Sequence, residues 1–276
     1  MLIASTASRP DGVAAEHGIR VVPLRVAMGD RVAVDGFDVT AADVCAALRA
    51  HKPVTTSRPT PAEFADVYQQ CLDSGAERIV SVHLAAALSG TWESAVLAAQ
   101  DFGHGVVRVV DSRSTAGALG FAVLSAAERA EAGASAAEVQ GAAADTVDRT
   151  RTLFYVDTLE YLRRGGRIGT AAAVLATSLS VKPLLQMVEG HVVALEKVRT
   201  SAKAIARLVQ LSAAGIGVDP VDVAVHHVDA AARADQVATQ LRAALPGIVR
   251  LHLAELGPVV GAHLGPGAIG TVVVRR

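Results

Sequence analysis

The chain has 276 residues, of which 51% are hydrophobic and 19% charged, and its net charge is −1. Disorder needs low hydrophobicity and high charge, so a disordered or fibrous chain is excluded; so is a broad basic field for nucleic acid. Aromatic residues make up 3%, so the core must be aliphatic and rich in alanine.

Apolar runs alternate with segments of helical spacing. Strands are predicted at Val21–Val26, Ile79–Leu84, Val106–Val110 and Leu153–Val156, and later at Val221–His227, Val249–Ala254 and Ile269–Val274. Between them, helices are predicted over Pro61–Ser74, Thr91–Phe102, Thr115–Ala132, Ala136–Arg149, Ser201–Ser212 and Ala230–Ala244. This alternation reads as α/β with mostly parallel strands. Thr60-Pro61-Ala62-Glu63 is a capping box with proline at the first helical position. Gly75, Gly103 and Gly133 are placed to end helices. After a break at Gly165-Gly166-Arg167-Ile168-Gly169, runs at Val181–Val188 and Val192–Lys197 meet at Glu189-Gly190, which suits a hairpin. The expected organisation is two α/β domains around one cleft, 1–155 and 156–276. The first has a mostly parallel sheet and the second is mixed.

Membrane insertion fails on length. A spanning helix needs about 20 mostly apolar residues, and the best stretch, Ala171–Leu179, soon meets Lys182 and Pro183. The N-terminal Met1–Ser5 lacks the basic segment and apolar run of a secretory signal. The two cysteines, Cys45 and Cys71, form no CxxC pair, which suits a reducing cytoplasm.

Several groups have the residue types for chemistry. Thr55-Thr56-Ser57-Arg58-Pro59 precedes the capped helix, and Leu88-Ser89-Gly90-Thr91 comes after a strand and opens the next helix. Hydroxyls and backbone N–H groups at helix starts make anion sites, and they also serve simply as caps. Both readings stand for both clusters. Ser89 is not in a nucleophile elbow, because Ala87 and Thr91 replace the two glycines that motif requires. Arg163, Arg164 and Arg167 flank a glycine pair. They suit an anion or an acidic partner, or a solvated helix end. Gly265, Gly267 and Gly270 spell G-x-G-x-x-G beside His263, but Thr271–Arg276 reads as a strand where the motif needs a helix, so dinucleotide binding is rejected. His226-His227 with Asp229 is the one compact candidate for a metal, yet adjacent strand residues face opposite ways. Asp35, Asp38 and Asp43 surround Gly36, where a turn is the simpler reading.

Together these segments resemble the DegV family, bacterial fatty acid-binding proteins that present acyl chains to a fatty acid kinase. The resemblance rests on Val22-Pro23-Leu24, Asp35-Gly36-Phe37-Asp38, Thr55 to Pro61, Leu88-Ser89-Gly90-Thr91-Trp92, Val110-Asp111-Ser112 and Asp157 to Ile168. It continues through Lys182-Pro183-Leu184-Leu185, Lys197-Val198-Arg199-Thr200, and His263 with Gly265-Pro266-Gly267. It implies a two-domain DegV-like fold with a long-chain fatty acid buried in a tunnel between the domains. It implies that Thr56, Ser89 and His263 hold the carboxylate, supported by Thr55, Ser57, Gly90 and Thr91, and that Arg167 serves kinase docking or phosphotransfer. It implies a monomeric carrier and not an enzyme, with no cofactor or metal beyond the lipid. Two rivals are a serine-dependent acyl hydrolase using Ser89 and His263, and a binding module for another small anion. The chain departs from the family where Ala4 stands in place of aspartate, and at Ala85-Ala86, where serine is common.

Overall fold

The structure, a computed structural model, describes residues 2–4, 13–172 and 182–276. Ser5-Thr6-Ala7, most of the apolar stretch Ala171–Leu179, and Val181 lie outside the described residues. The chain forms two compact units: Met1–Arg25 with Thr56–Asp148, and Val26–Thr55 with Arg149–Arg276.

The first unit is built on a four-stranded parallel sheet of β1 (Leu2–Ala4), β2 (Arg20–Val21), β6 (Ile79–His83) and β7 (Val107–Asp111), in the order β2-β1-β6-β7. A short helix, α1 (Val13–Glu16), precedes β2. The strand predicted at Val21–Val26 is divided, because Val22-Pro23-Leu24 leaves the ladder after β2 and pairing resumes with β3 (Arg25–Met28). Strand β6 is buried throughout, as a central parallel strand should be. On one face, Val80, Val82 and Leu84 pack with Leu119, Ala122 and Val123 of α5 (Ala116–Glu131) and with Val139 and Ala143 of α6 (Ala136–Asp148). On the other face, Ile79 packs with Phe64, Tyr68 and Cys71 of α3 (Pro61–Asp73) and with Ala95 and Ala98 of α4 (Thr91–Ala99).

Helix α3 begins with the capping box read from the sequence: Thr60 caps Glu63 N–H, and Glu63 accepts the Thr60 N–H at 2.8 Å. It ends at Gly75, whose φ of 96° lets Gly75 and Ala76 donate to Leu72 and Cys71. Gly133 ends α5 in the same way. Gly103 does not: α4 stops at Ala99, and Gly103 is not among the positive-φ glycines.

The second unit is a six-stranded mixed sheet in the order β10-β9-β8-β13-β11-β12. Its strands are β8 (Thr150–Tyr155), β9 (Lys182–Val188), β10 (His191–Val198), β11 (Val221–His227), β12 (Ile248–Glu255) and β13 (Ile269–Arg275). Only β11 and β12 run parallel; the other neighbours are antiparallel. The β9–β10 hairpin turns at Glu189 (φ 47°) and Gly190 (φ 80°), the two left-handed residues of a tight primed turn. Helices α8 (Ser201–Ala213) and α9 (Ala231–Ala244) carry Leu208, Val237 and Leu241 onto Val221, Val223 and Val225.

The segment 26–55 belongs to this unit, which differs from the expected division into 1–155 and 156–276. The segment holds most of β3, all of β4 (Arg31–Val34), the start of β5 (Val54–Ser57), and α2 (Ala41–Arg49). The three strands form a sheet of order β4-β3-β5. Helix α2 packs on α10 (Pro258–Leu264), and Arg49 pairs with Asp229. These contacts join 26–55 to residues far along the chain, which a linear division misses.

Candidate functional site

Both hydroxyl clusters, apart from Thr55, fall in the first unit and lead into helices that share one face of its sheet. The first is not a loop. Val54–Ser57 is strand β5, with Thr56 half-buried and Thr55 and Ser57 exposed by strand alternation. Capping of α3 is done by Thr60, so the hydroxyl of Thr56 is not used for it.

The second cluster comes after β6. The loop is pinned through its backbone: Ala85 N–H donates to the Ser114 carbonyl at 2.8 Å, and the Ala85 carbonyl accepts from Leu88 and Ser89. Asp111 Oδ1 accepts the Ala86 N–H at 3.2 Å and the Arg113 N–H at 2.8 Å. Alanine at 85 therefore leaves the loop's backbone bonds in place. Gly90 is the N-cap of α4 and supplies no side-chain cap. The half-buried Ser89 sits just before it, and its Oγ accepts the Thr91 N–H at 3.3 Å and lies 2.8 Å from Thr91 Oγ1. Ser89 thus bonds to Thr91, not to an imidazole. The partly positive start of α4 favours an anion there.

Arg58 joins the two clusters. Two residues beyond Thr56, its Nη1 donates to the Gly90 carbonyl at 3.2 Å and to Glu93 Oε2 at 2.8 Å. The pairing neutralises Glu93, the acidic residue in the first turn of α4. A Cβ at Gly90 would stand 1.6 Å from Arg58 Nη1, so this approach requires glycine.

Between α3 and β6 runs a buried polar chain that the sequence reading missed. Tyr68 of α3 donates to Ser81 Oγ at 3.0 Å, and Ser81 Oγ lies 2.6 Å from His83 Nε2. All three are buried. Burial pushes the His83 imidazole down to about 3, so it is neutral. The signal was present: Ser81 and His83, two apart on a strand, face the same side.

In the second unit, His263 lies in the last turn of α10, against Gly165. A Cβ at Gly165 would come 2.2 Å from His263 Nδ1. Burial, helped by the nearby Arg167 charge, lowers the His263 pKa to about 4. Arg167 folds onto the Gly165 carbonyl. Arg163 and Arg164 both bond to Glu160, at 2.7 Å each to Oε1, on α7 (Glu160–Arg164), so those two are an ordinary charged helix end. The glycine run has a steric reason. Cβ atoms at Gly265 and Gly267 would come 2.0 Å from the Tyr161 ring and from Asp157 Oδ2. The chain then enters β13, in keeping with the rejection of dinucleotide binding.

The unused acidic stretch has structural roles. Asp43 and Thr40 form a capping box on α2. Asp35 Oδ1 accepts the Val259 N–H in the first turn of α10, and burial raises its pKa to about 6. No group of three or more His, Cys, Asp or Glu among the described residues is placed to hold a metal. No described helix is long and apolar enough to cross a membrane.

The DegV family model, described as an uncharacterised protein family, matches residues 2–276. The chain belongs to the DegV family. A DegV domain-containing protein of Streptomyces coelicolor is 50% identical over 272 residues, covering 99% of this chain and 96% of its own. A solved DegV family protein from Thermus thermophilus, described by its fatty acid binding, matches with a TM-score of 0.94 at 32% identity, over 100% of this chain and 99% of that one. DegV of Bacillus subtilis, described as a fatty acid binding protein, matches with a TM-score of 0.88 at 29% identity, over 100% and 98%. The family membership and the α/β fold read from the sequence both hold.

Proposed function

We propose that this DegV protein binds a long-chain fatty acid in a buried apolar tunnel and presents its carboxylate to a fatty acid kinase. The observation that carries the reading is the half-buried Ser89 hydroxyl at the start of α4, where the N-cap residue, Gly90, has no side chain to offer and Arg58 ties in the strand of Thr56. Solved relatives described as fatty acid-binding proteins, similar over the full chain, support the ligand class.

The energetics divide between tail and head. Each buried methylene is worth about 0.8 kcal/mol, so a sixteen-carbon chain gains on the order of 10 kcal/mol before ordering and association costs. The carboxylate needs donors, because burying it without them costs several kcal/mol. Thr56 and Ser89 supply hydroxyl donors, and the helix start supplies favourable potential. His263 is assigned to the head group by the family resemblance, with Thr55, Ser57, Gly90 and Thr91 in support. Neutral hydroxyls leave the carboxylate oxygen free to attack a phosphoryl group, whereas a tight guanidinium pair would occupy it. Arg167 is assigned to kinase docking. The free buried thiols Cys45 and Cys71 fit a reducing cytoplasm.

The test is to purify the protein without added lipid, denature it and identify what it releases by mass spectrometry. A stoichiometric fatty acid is expected, with weaker binding in Ser89→Ala and Thr56→Ala. Arg167→Ala is expected to keep the lipid and lose kinase-dependent phosphate incorporation. An empty protein that also refuses added fatty acid overturns the reading.

A further inference from the structure

Ser89 Oγ and Thr91 Oγ1 are 2.8 Å apart, and distance alone leaves the proton's direction open. Their surroundings favour one direction. Thr91 is fully buried, while Ser89 is half-buried. Among the described residues, the Thr91 hydroxyl bonds to Ser89 alone. The next hydroxyl along the buried face of α4 is Ser94, and its Oγ is itself buried without a partner.

Each hydroxyl has one proton to give. If Ser89 donates to Thr91, the Thr91 proton is stranded in the core with no acceptor among the described residues, a full desolvation penalty. If Thr91 donates to Ser89, no proton is stranded. Ser89 Oγ then accepts twice from Thr91, once from its N–H and once from its O–H. Both lone pairs are filled, and the Ser89 proton must point away from α4.

We propose that Thr91 is a positioning residue that donates its hydroxyl proton to Ser89, leaving Ser89 oriented as an obligate donor to a ligand carboxylate. A head group that must itself donate to Ser89 finds no lone pair there. An alcohol oxygen can also accept from Ser89, but a carboxylate accepts a stronger, charge-assisted bond, so the arrangement favours the carboxylate over the corresponding alcohol. This rests on the fatty acid reading and adds the means by which Ser89 selects an anion.

The test is a double-mutant cycle on the full-length protein. Affinities for a sixteen-carbon fatty acid and for the matching primary alcohol are measured by displacement of a fluorescent fatty acid. Thr91→Val, which keeps the shape and removes the hydroxyl, is expected to weaken fatty acid binding about tenfold and narrow the acid-to-alcohol ratio. Thr91→Ser is expected to restore both. In a Ser89→Ala background, Thr91→Val is expected to change little. Equal loss in both backgrounds, an unchanged acid-to-alcohol ratio, or failed rescue by serine overturns the proposal while leaving the fatty acid reading intact. Parent protein that binds no fatty acid overturns both. Where valine abolishes the urea unfolding transition, Thr91→Ala replaces it in the cycle.

Discussion

The Arg58 guanidinium lies on the backbone of Gly90, donating to its carbonyl oxygen at 3.2 Å and to Glu93 at 2.8 Å. Gly90 has φ −69°, which any residue adopts, so its requirement is for space alone. A methyl group there would meet the far end of a flexible side chain, 1.6 Å from Nη1. Gly90→Ala should therefore swing Arg58 away and leave the backbone in place. Because the ion pair is exposed, the stability change should stay within about 1 kcal/mol. Fatty acid affinity should fall several-fold as the two hydroxyl clusters lose their tie. Arg58→Ala should cause a similar loss, and the double variant should be no worse than either single one. Urea unfolding and binding measurements on the three variants check this, and additive losses would refute it.

Much of this arrangement is legible in the sequence, and the illegible parts have physical causes. Val221–His227 stands out because β-branched Val221, Val223 and Val225 recur at the strand period, and α3 because its caps are chemically explicit at Thr60-Pro61-Ala62-Glu63 and Gly75. The capping box of α2 was equally present at Thr40 and Asp43, but it is masked by the run of aspartates around Gly36. Strand β5 hides because Val54-Thr55-Thr56-Ser57 is short and its hydroxyls suggest a turn. Helix α10 hides among glycines, although Pro258 at its first turn is a start signal. The membership of 26–55 in the second unit depends on contacts with residues some two hundred positions away, which no local pattern encodes. Arg58 reads as a loop cation until the start of α4 is placed beside it.

Gly165 offers a way to move His263 without changing it. Gly165 has φ −73°, so alanine suits its backbone, yet the added Cβ would come 2.2 Å from His263 Nδ1. Gly165→Ala should displace the imidazole and weaken fatty acid binding to about the level of His263→Ala. The double variant should lose no more than His263→Ala alone, because the two changes act through one group. Affinities of the three variants check this. A Gly165→Ala protein that binds like the parent would remove His263 from the head-group set.

Buried histidines should make the protein acid-sensitive. Burial holds His83 at about 3, and His226 and His263 at about 4, against about 6.5 in an unfolded chain. Above pH 6.5 all three are neutral in both states and add no pH dependence. Between about 6.5 and 4 the unfolded chain takes up protons that the folded chain refuses. Stability therefore falls with pH in that window, by up to about 1.4 kcal/mol per pH unit for each histidine. Urea midpoints from pH 7.5 to 4.5 measure the slope. The imidazole proton resonances of all three should hold their neutral positions down to pH 5, and a resonance titrating near 6.5 would remove that residue from the account.

Asp35 should oppose that slope. Burial raises its folded pKa from the usual carboxylate value of 3.8 to about 6, despite the Val259 N–H at 3.4 Å that favours the charged form. Between about 6 and 3.8 the folded protein binds the proton more tightly than the unfolded chain, so this group adds stability as pH falls. Above pH 6 the folded state carries a poorly solvated carboxylate, and the difference of about two units corresponds to roughly 3 kcal/mol at most. Asn is neutral at every pH and keeps an oxygen for the Val259 N–H. Asp35→Asn should therefore be more stable than the parent at pH 7.5, with the advantage shrinking below pH 6. Its acid limb should be steeper, because the opposing contribution of Asp35 is gone and the histidines remain. Urea midpoints of the two proteins across the same pH range decide it. An Asp35→Asn protein that is less stable at pH 7.5 would mean that the charge itself, at the start of α10, holds that helix in place.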